Sequence, residues 1–230
     1  MNYRDDLAHI HHAGFSEFAE SAAPGLLEML WQRDIRDGLI VELGCGSGIL
    51  ARELTRAGFE VLGYDASPSM IALARQTAPK ARFKAGAFDA VEIPDCNAIV
   101  AMGEVFNYGT FDAVERLIAN ATTNIVIFDI AERGAYPEYD EQRIDGDDWS
   151  VIAVKVSDGA RLTRTVETFR VVNGEMRRDK EVHTLELYDR DAMKALLHAH
   201  DFRVTIRRSY RTRRLPKGHA VYIAERSARA

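Results

Sequence analysis

Two cysteines, Cys45 and Cys96, are all that 230 residues contain, and they stand at no spacing that would hold a metal or form a redox pair. A disulfide scaffold is excluded, no metal site is expected, and both thiols read as reduced and structural. No apolar run approaches the roughly 18 residues of a spanning helix, and no charged-then-apolar leader opens the chain, so neither a membrane span nor a secretory signal is expected. The location expected is cytoplasmic. Positive charge is not in excess: 30 Lys and Arg face 35 Asp and Glu, a net charge of −5, which gives no general attraction to nucleic acid or to an anionic membrane. There is also no GK[ST] sequence, which removes a phosphate-binding P-loop. What remains, 47% hydrophobic and 28% charged residues, suits one α/β domain with a sizeable core, with room for an insertion.

The rest of the chain is organised around LIVELGCGSG, Leu39 to Gly48. A strand pattern runs into three glycines, Gly44, Gly46 and Gly48, where the turn needs backbone angles that a Cβ resists and a ligand must come close to bare backbone. A helix pattern from Ile49 to Ala57, closed by Gly58, points its first N–H groups into that turn. A second strand, Glu60 to Asp65, then ends on an acid. Asp65 follows Gly44 by about 20 residues, the distance at which an acid at the next parallel strand tip meets a ribose. Turn and acid together describe a nucleoside-type site. A dinucleotide fingerprint would place its third glycine at position 49, which is isoleucine.

With Glu42 before the glycines, and with Ser67, Pro68 and Met70 in register after Asp65, the chain resembles the class I S-adenosylmethionine-dependent methyltransferases. The first motif of that family looks like VELGCGSG, and its acidic second motif looks like Asp65 in GYDASPSMIALAR. The resemblance implies S-adenosyl-L-methionine as cofactor, its methionine part passing the glycine turn and both ribose hydroxyls held by Asp65. Carried residue by residue, the implied cofactor contacts are Glu42, Gly44, Cys45, Gly46, Gly48, Asp65, Ala66, Met70, Phe88, Asp89, Met102, Gly103 and Glu104. Asp89, at the end of the third strand, stands where that family often meets the adenine amino group; a solvated loop acid is its other reading. Met70 reads as core first and cofactor contact second.

The fourth strand, Asn97 to Met102, is followed by Gly103-Glu104-Val105-Phe106-Asn107-Tyr108. An enzyme methylating a nucleobase amine would show an (N/D)-P-P-(Y/F) tetrad there, and its absence counts against that substrate. Glu104, Asn107 and Tyr108 could hold cofactor or substrate, and Glu104 is either a catalytic candidate or a surface carboxylate capping the next helix. After a fifth strand, Asn124 to Asp129, the strand–helix alternation stops. Ser150 to Ser157, Arg161 to Val172 and Glu175 to Tyr188, separated by Asp158-Gly159 and Asn173-Gly174, read as antiparallel hairpins. This inserted meander should roof the active site, with Tyr136, Tyr139, Trp149 and His183 as substrate-facing candidates or as packing onto the main sheet. Asp189 to His200 reads as a helix, and Phe202 to Arg208 with His219 to Glu225 as a closing hairpin like the family's last one. The basic run from Arg203 to Lys217 reads as a solvated hairpin face.

Ahead of the core, Tyr3 to Phe18 concentrates aromatics and His9, His11 and His12, leading to a helical pattern around Leu26 to Trp31. A segment without fold duty of its own suits a closing lid, mobile in the free protein. His11 or His12 could serve as general base, acting near pH 6.5 if unperturbed. The expectation is a Rossmann-like, seven-stranded α/β methyltransferase sheet with helices on both faces and an antiparallel β insertion. Its parts would be an N-terminal lid (1–38), a cofactor core (39–130), the insertion (131–188) and a closing helix and hairpin (189–230). The reaction would be in-line methyl transfer to N or O of a small molecule. Rival readings are a nicotinamide-dependent oxidoreductase and a non-catalytic partner subunit of the same fold. No nucleic-acid or membrane partner is expected, and a homodimer is left open.

Overall fold

The computed structural model describes residues 3–226. In chain order, a long helix α1 (Asp5–Trp31) precedes β1 (Leu39–Leu43), α2 (Ile49–Arg56), β2 (Glu60–Asp65), α3 (Pro68–Thr77), β3 (Arg82–Ala85) and β4 (Ala98–Ala101). A 3-10 turn (Val105–Tyr108), α4 (Phe111–Asn120) and β5 (Ile125–Ala131) follow. Four antiparallel strands come next: β6 (Tyr139–Asp145), β7 (Trp149–Ser157), β8 (Arg161–Val172) and β9 (Glu175–Glu186). The chain closes with α5 (Arg190–Ala199), β10 (Phe202–Arg207), β11 (Ser209–Tyr210), β12 (Arg213–Arg214) and β13 (His219–Arg226).

The main sheet has seven strands in the order β10-β13-β5-β4-β1-β2-β3, with β13 antiparallel between β10 and β5 and β1 to β5 mutually parallel. Its central strands β1, β4, β5 and β13 are apolar along most of their length because alternate side chains leave opposite faces and both faces are covered, while the edge strands β3 and β10 carry exposed charged residues. Ile40, Val61, Val100, Ile127 and Ile223 pack with α1, α2 and α3 on one side. Val41, Leu43, Leu62, Ile99, Phe128 and Tyr222 pack with α4 and α5 on the other. Phe128 and Tyr222, adjacent across β5 and β13, stack with centroids 5.2 Å apart. Truncating either ring to alanine should cost about 3–5 kcal/mol, as large buried side chains do.

Parallel order has a consequence for the site: β1, β2, β4 and β5 all end at one edge, and their following turns meet there. The starts of α3, α4 and α5 are capped by side chains. Ser67 accepts from Met70 N at the head of α3, with Pro68 at its first position, and Thr110 caps α4 and Asp189 caps α5.

Two elements go beyond expectation. The N-terminal segment and the helical pattern around Leu26 to Trp31 form one continuous helix of 27 residues. Its two halves bury different sides against different partners: Leu7 and Ile10 against Val151 and Val166 of the inserted sheet, Ala22, Leu26 and Met29 against the main sheet. No single apolar stripe runs its length, and Pro24 interrupts the pattern further. Gly25 lets the helix pack closely on β11, since a Cβ there would lie 2.5 Å from the Tyr210 carbonyl carbon. The second is β6, which the sequence does not reveal because YDEQRID is an edge strand exposed along most of its length. The Asn173-Gly174 turn has both φ values positive, 54° and 83°, as a type I′ hairpin requires.

Candidate active site

A cavity of about 750 Å³ lies at the carboxyl edge of the parallel strands, within the usual size of small-molecule sites. Its floor is the glycine turn after β1, the acid ending β2, the Gly86–Asp89 turn after β3 and the Met102–Val105 corner after β4. Tyr3, His11, Phe15 and Phe18 of the N-terminal helix region, with Arg164 and Thr184 of the inserted sheet, form the other side, and Arg213 to Pro216 and His219 complete it.

The three glycines do different work. Gly44, Gly46 and Gly48 all have positive φ, at 65°, 50° and 80°. A Cβ on Gly44 would strike Val105, and one on Gly48 would lie 2.9 Å from the Ala74 Cα, so these two allow the turn to pack against its neighbours. At Gly46 a Cβ would meet nothing within 4 Å, and the residue lines the cavity. Of the three, Gly46 is the one that leaves open space where a ligand can come close to the backbone.

Asp65 closes this turn from the next strand. Its Oδ2 accepts Gly46 N at 2.9 Å and its Oδ1 accepts Ser67 N at 2.8 Å. Burial pushes its carboxyl above the ordinary aspartate range, and the two backbone donors pull the other way. Glu42, on β1 behind the turn, is 3% exposed, and its Oε2 is buried with no hydrogen-bond partner. Burial first, and then the charge of Asp65, raise its pKa to about 8. A buried carboxyl with an unsatisfied oxygen on a cavity wall is fitted for a cationic or N–H-bearing ligand, such as an amino acid ammonium.

Asp129, at the end of β5, is buried and holds the corner after β4. Gly103 N donates to both its oxygens at 3.1 and 3.0 Å, Glu104 N to Oδ1 at 2.9 Å, and the Tyr210 hydroxyl to Oδ2 at 2.7 Å. These bonds fix two successive residues with positive φ, Gly103 at 94° and Glu104 at 63°. The strained corner turns the Glu104 side chain into a polar cluster. Glu104 Oε1 lies 2.6 Å from His219 Nε2 and accepts the Tyr136 hydroxyl at 2.5 Å, while Oε2 accepts Arg164 Nη2 at 3.2 Å. Burial opposes ionisation of Glu104, but the His219 bond and the Arg164 charge outweigh it and bring the pKa to about 2. Burial likewise opposes the charged form of His219, and the Glu104 contact overcomes it and raises the imidazole above its ordinary value.

Of the residues singled out from sequence, the cavity gathers Glu42, Gly44, Cys45, Gly46, Asp65, Ala66, Met70, Phe88, Asp89, Met102, Gly103, Glu104, Tyr108 and His11. Seven others lie elsewhere, two of them on the inserted sheet: Tyr139 is exposed with its hydroxyl on Glu141, and Trp149 packs against Phe15 of α1. Gly48 supports the turn against α3, as described. His12 Nδ1 is 2.9 Å from Ser47 Oγ and ties the helix to the glycine turn. Asn107 is fully buried and spends its amide on the chain, donating to the Ala131 and Glu186 carbonyls and accepting from Ala131 N. Tyr136 reaches Glu104 from behind, and His183 is buried against Tyr3 and Tyr108. His11 does line the cavity, yet burial, then Arg164 and His12, lower its pKa to about 4, well below an unperturbed imidazole.

Arg164, His219, Asp129 and Tyr3 complete the site without any motif to announce them. Nor is the basic run after β10 wholly a solvated face: Arg213 to Pro216 border the cavity, and the Arg213 guanidinium sits 5.5 Å from the Phe18 ring. A position that closes a cavity from another strand leaves no spacing signature in the chain.

Residues 40–126 match the family described as a methyltransferase domain. Magnesium-protoporphyrin O-methyltransferase of Rhodobacter capsulatus is 26% identical over 110 residues, 45% of this chain and 49% of that protein, so the match spans about half the curated relative. Among solved structures, an S-adenosylmethionine-dependent methyltransferase from Clostridium acetobutylicum superposes with a TM-score of 0.80 at 16% identity, covering 96% of this chain and 98% of the other. Streptomyces venezuelae DesVI gives 0.79 at 16% identity, covering 99% of each chain. CalS10, an amino pentose methyltransferase from Micromonospora echinaspora, gives 0.74 at 17%, covering 99% and 98%. The similarity to these structures is one of fold. No described helix is long and apolar enough to cross a membrane.

Proposed function

We infer, since this chain belongs to the class I S-adenosylmethionine-dependent methyltransferases, that it transfers a methyl group to nitrogen or oxygen of a small-molecule acceptor held between the floor and the roof of the cavity. The observation that carries the reading is Glu42 Oε2, a buried and unpartnered carboxyl oxygen on the wall beside Gly46. S-adenosylmethionine supplies an activated methyl group, and its ammonium and ribose are the kinds of group that Glu42 and Asp65 would hold. Gly46 would admit it to the backbone, and Met70, Phe88, Asp89, Met102 and Gly103 would enclose its base.

The chain's own part is to align and to exclude water. Methyl transfer needs its two reacting atoms in line, and alignment with desolvation can lower such a barrier by several kcal/mol without a covalent intermediate. Roof residues Tyr3, His11, Tyr108 and Arg164 would enclose the acceptor. A neutral His11 could take a proton from it, though a pKa of about 4 makes it a weak base at neutral pH. His219 is a poor base for a different reason, because its Nε2 faces Glu104 and its Nδ1 the Lys217 carbonyl at 3.2 Å. An acceptor whose nucleophilic atom arrives unprotonated suits this site best. The reading keeps a cytoplasmic location, supported by two unpaired cysteines, and a homodimer as an assembly to be sought.

Calorimetry with S-adenosylhomocysteine tests the role of Glu42. A carboxyl with a pKa of about 8 is mostly protonated at pH 7, and an ammonium partner would lower that pKa. Binding at pH 7 should release close to one proton, seen as an enthalpy that depends on the buffer's ionisation heat, and Glu42→Gln should abolish the release. Binding without proton release in the wild type would remove Glu42 from the role.

A further inference from the structure

We propose that the acceptor carries an oxyanion, a carboxylate or a phosphate, and that Arg164 on the inner face of the roof receives it. The inference rests on the methyl-transfer reading and specifies the acceptor's chemical class. A guanidinium offers five N–H donors in a rigid fork. The described hydrogen bonds of Arg164 both leave from Nη2, to Glu104 Oε2 at 3.2 Å and the Tyr136 hydroxyl at 3.3 Å. Its Nε is buried with no partner, although the side chain borders the cavity.

The other half of the same rung repeats the pattern. His183 is the register partner of Arg164 across β8 and β9, is 1% exposed, and leaves both ring nitrogens without a hydrogen bond. Glu181 Oε2 stands 3.5 Å from its Nε2, outside hydrogen-bonding geometry. Packed on this ring at 5.1 and 6.0 Å are Tyr3 and Tyr108, whose hydroxyls lie 3.3 Å apart on the cavity wall. Turnable hydroxyls thus stand at this end of the cavity, with the unspent nitrogens of His183 packed behind them.

Charge points the same way. His219 has both nitrogens against oxygen acceptors, the arrangement of an imidazolium, so Arg164 and His219 share the single carboxylate of Glu104. Asp129, the other buried carboxylate on this wall, spends its oxygens on Gly103 N, Glu104 N and the Tyr210 hydroxyl and bonds to neither cation, whereas Glu42 and Asp65 belong to the glycine-turn end. An oxyanion would take up guanidinium donors of Arg164 that Glu104 and Tyr136 leave unspent; a neutral acceptor would leave them so.

The test is thermal denaturation of the full chain in inorganic phosphate and, in parallel, acetate, each against chloride at matched ionic strength, with and without saturating S-adenosylhomocysteine. One of the two anions should raise the Tm of the wild type saturably, which also tells phosphate from carboxylate. Arg164→Gln should lose at least four-fifths of that rise while its Kd for S-adenosylhomocysteine stays within threefold. Should that variant not fold, Arg164→Lys keeps the charge beside Glu104 without the fork, and its apparent anion affinity should fall at least fivefold. No saturable rise in the wild type, or a rise that survives the substitution, would overturn the proposal. Failure of S-adenosylhomocysteine to bind would instead strike the methyl-transfer reading and leave the anion result to stand alone.

Discussion

The two ends of the cavity are built by different rules. At the glycine-turn end, Glu42, Gly46 and Asp65 come from consecutive strand–turn units, and backbone N–H groups make most of the contacts. At the roof end, Tyr3, Glu104, Arg164 and His219 come from four places far apart in the chain, and side chains meet side chains. A site made of backbone geometry tolerates little substitution at its glycines but little depends on distant residues. A site made of side chains can change its ligand by changing one of them.

That difference can be broken most severely at Gly46. Gly46→Val would fill the space where a Cβ now meets nothing and would strain a residue at φ 50°. Affinity for S-adenosylhomocysteine should fall more than about 100-fold, beyond about 2.7 kcal/mol, with the circular dichroism spectrum unchanged; retained affinity would move the ligand away from the turn. Asp65→Ala comes next. Charge-assisted bonds to hydroxyls contribute about 1.5–3 kcal/mol each, so calorimetry should show at least about tenfold weaker binding.

The roof end should respond in stability and pH dependence. Glu104 has a folded pKa of about 2 against 4.5 for the ordinary group, so its ionised contacts stabilise the fold above pH 4.5, and that contribution is lost as pH falls toward 2. His219, raised above its ordinary 6.5, contributes fully below that pH and loses its share as pH rises through the raised value. The Tm gap between wild type and Glu104→Gln should therefore be widest near pH 5–6 and narrow on both sides; a gap independent of pH would mean that packing, not the ion pair, dominates. His11, at about 4, gives no titration between pH 5.5 and 8. The pH–rate profile should have no limb near 6.5, and one that vanishes in His11→Gln would restore it as a base.

The smallest effect concerns how the roof is fastened. Asp6 on α1 meets Arg170 of β8 at 3.1 Å, and the Arg4 backbone N–H meets Glu181 of β9 at 2.9 Å. Asp6→Asn should cost no more than about 1 kcal/mol, as partly exposed pairs do, yet speed hydrogen exchange in the first turns of α1. These contacts also tie the helix and the inserted sheet together, so the closing lid expected from sequence would have to move with the roof or separate from it.

Legibility in the sequence follows the same division. Glycine spacing, the acid about 20 residues on and strand–helix alternation are local, and they carried the sheet, its closing antiparallel strand and the floor of the cavity. Arg164 could not be found that way: it sits mid-strand in a run of β-branched residues, and only the pairing of β8 with its neighbours turns it inward. Asn107 misleads for the opposite reason, standing after β4 like a ligand residue while its amide satisfies the backbone of β5 and β9. His219 lies in a loop-to-strand junction whose partner, Glu104, is 115 residues away.

A crystal structure with S-adenosylhomocysteine bound is the most direct test of the account's central claim, that the cavity divides into a backbone-built cofactor end and a side-chain-built acceptor end. The account predicts the ligand's ribose hydroxyls on Asp65, its amino group on Glu42, and open space between its sulfur and Arg164. Density for the ligand against Arg164 and Tyr3, with Glu42 still unpartnered, would contradict it.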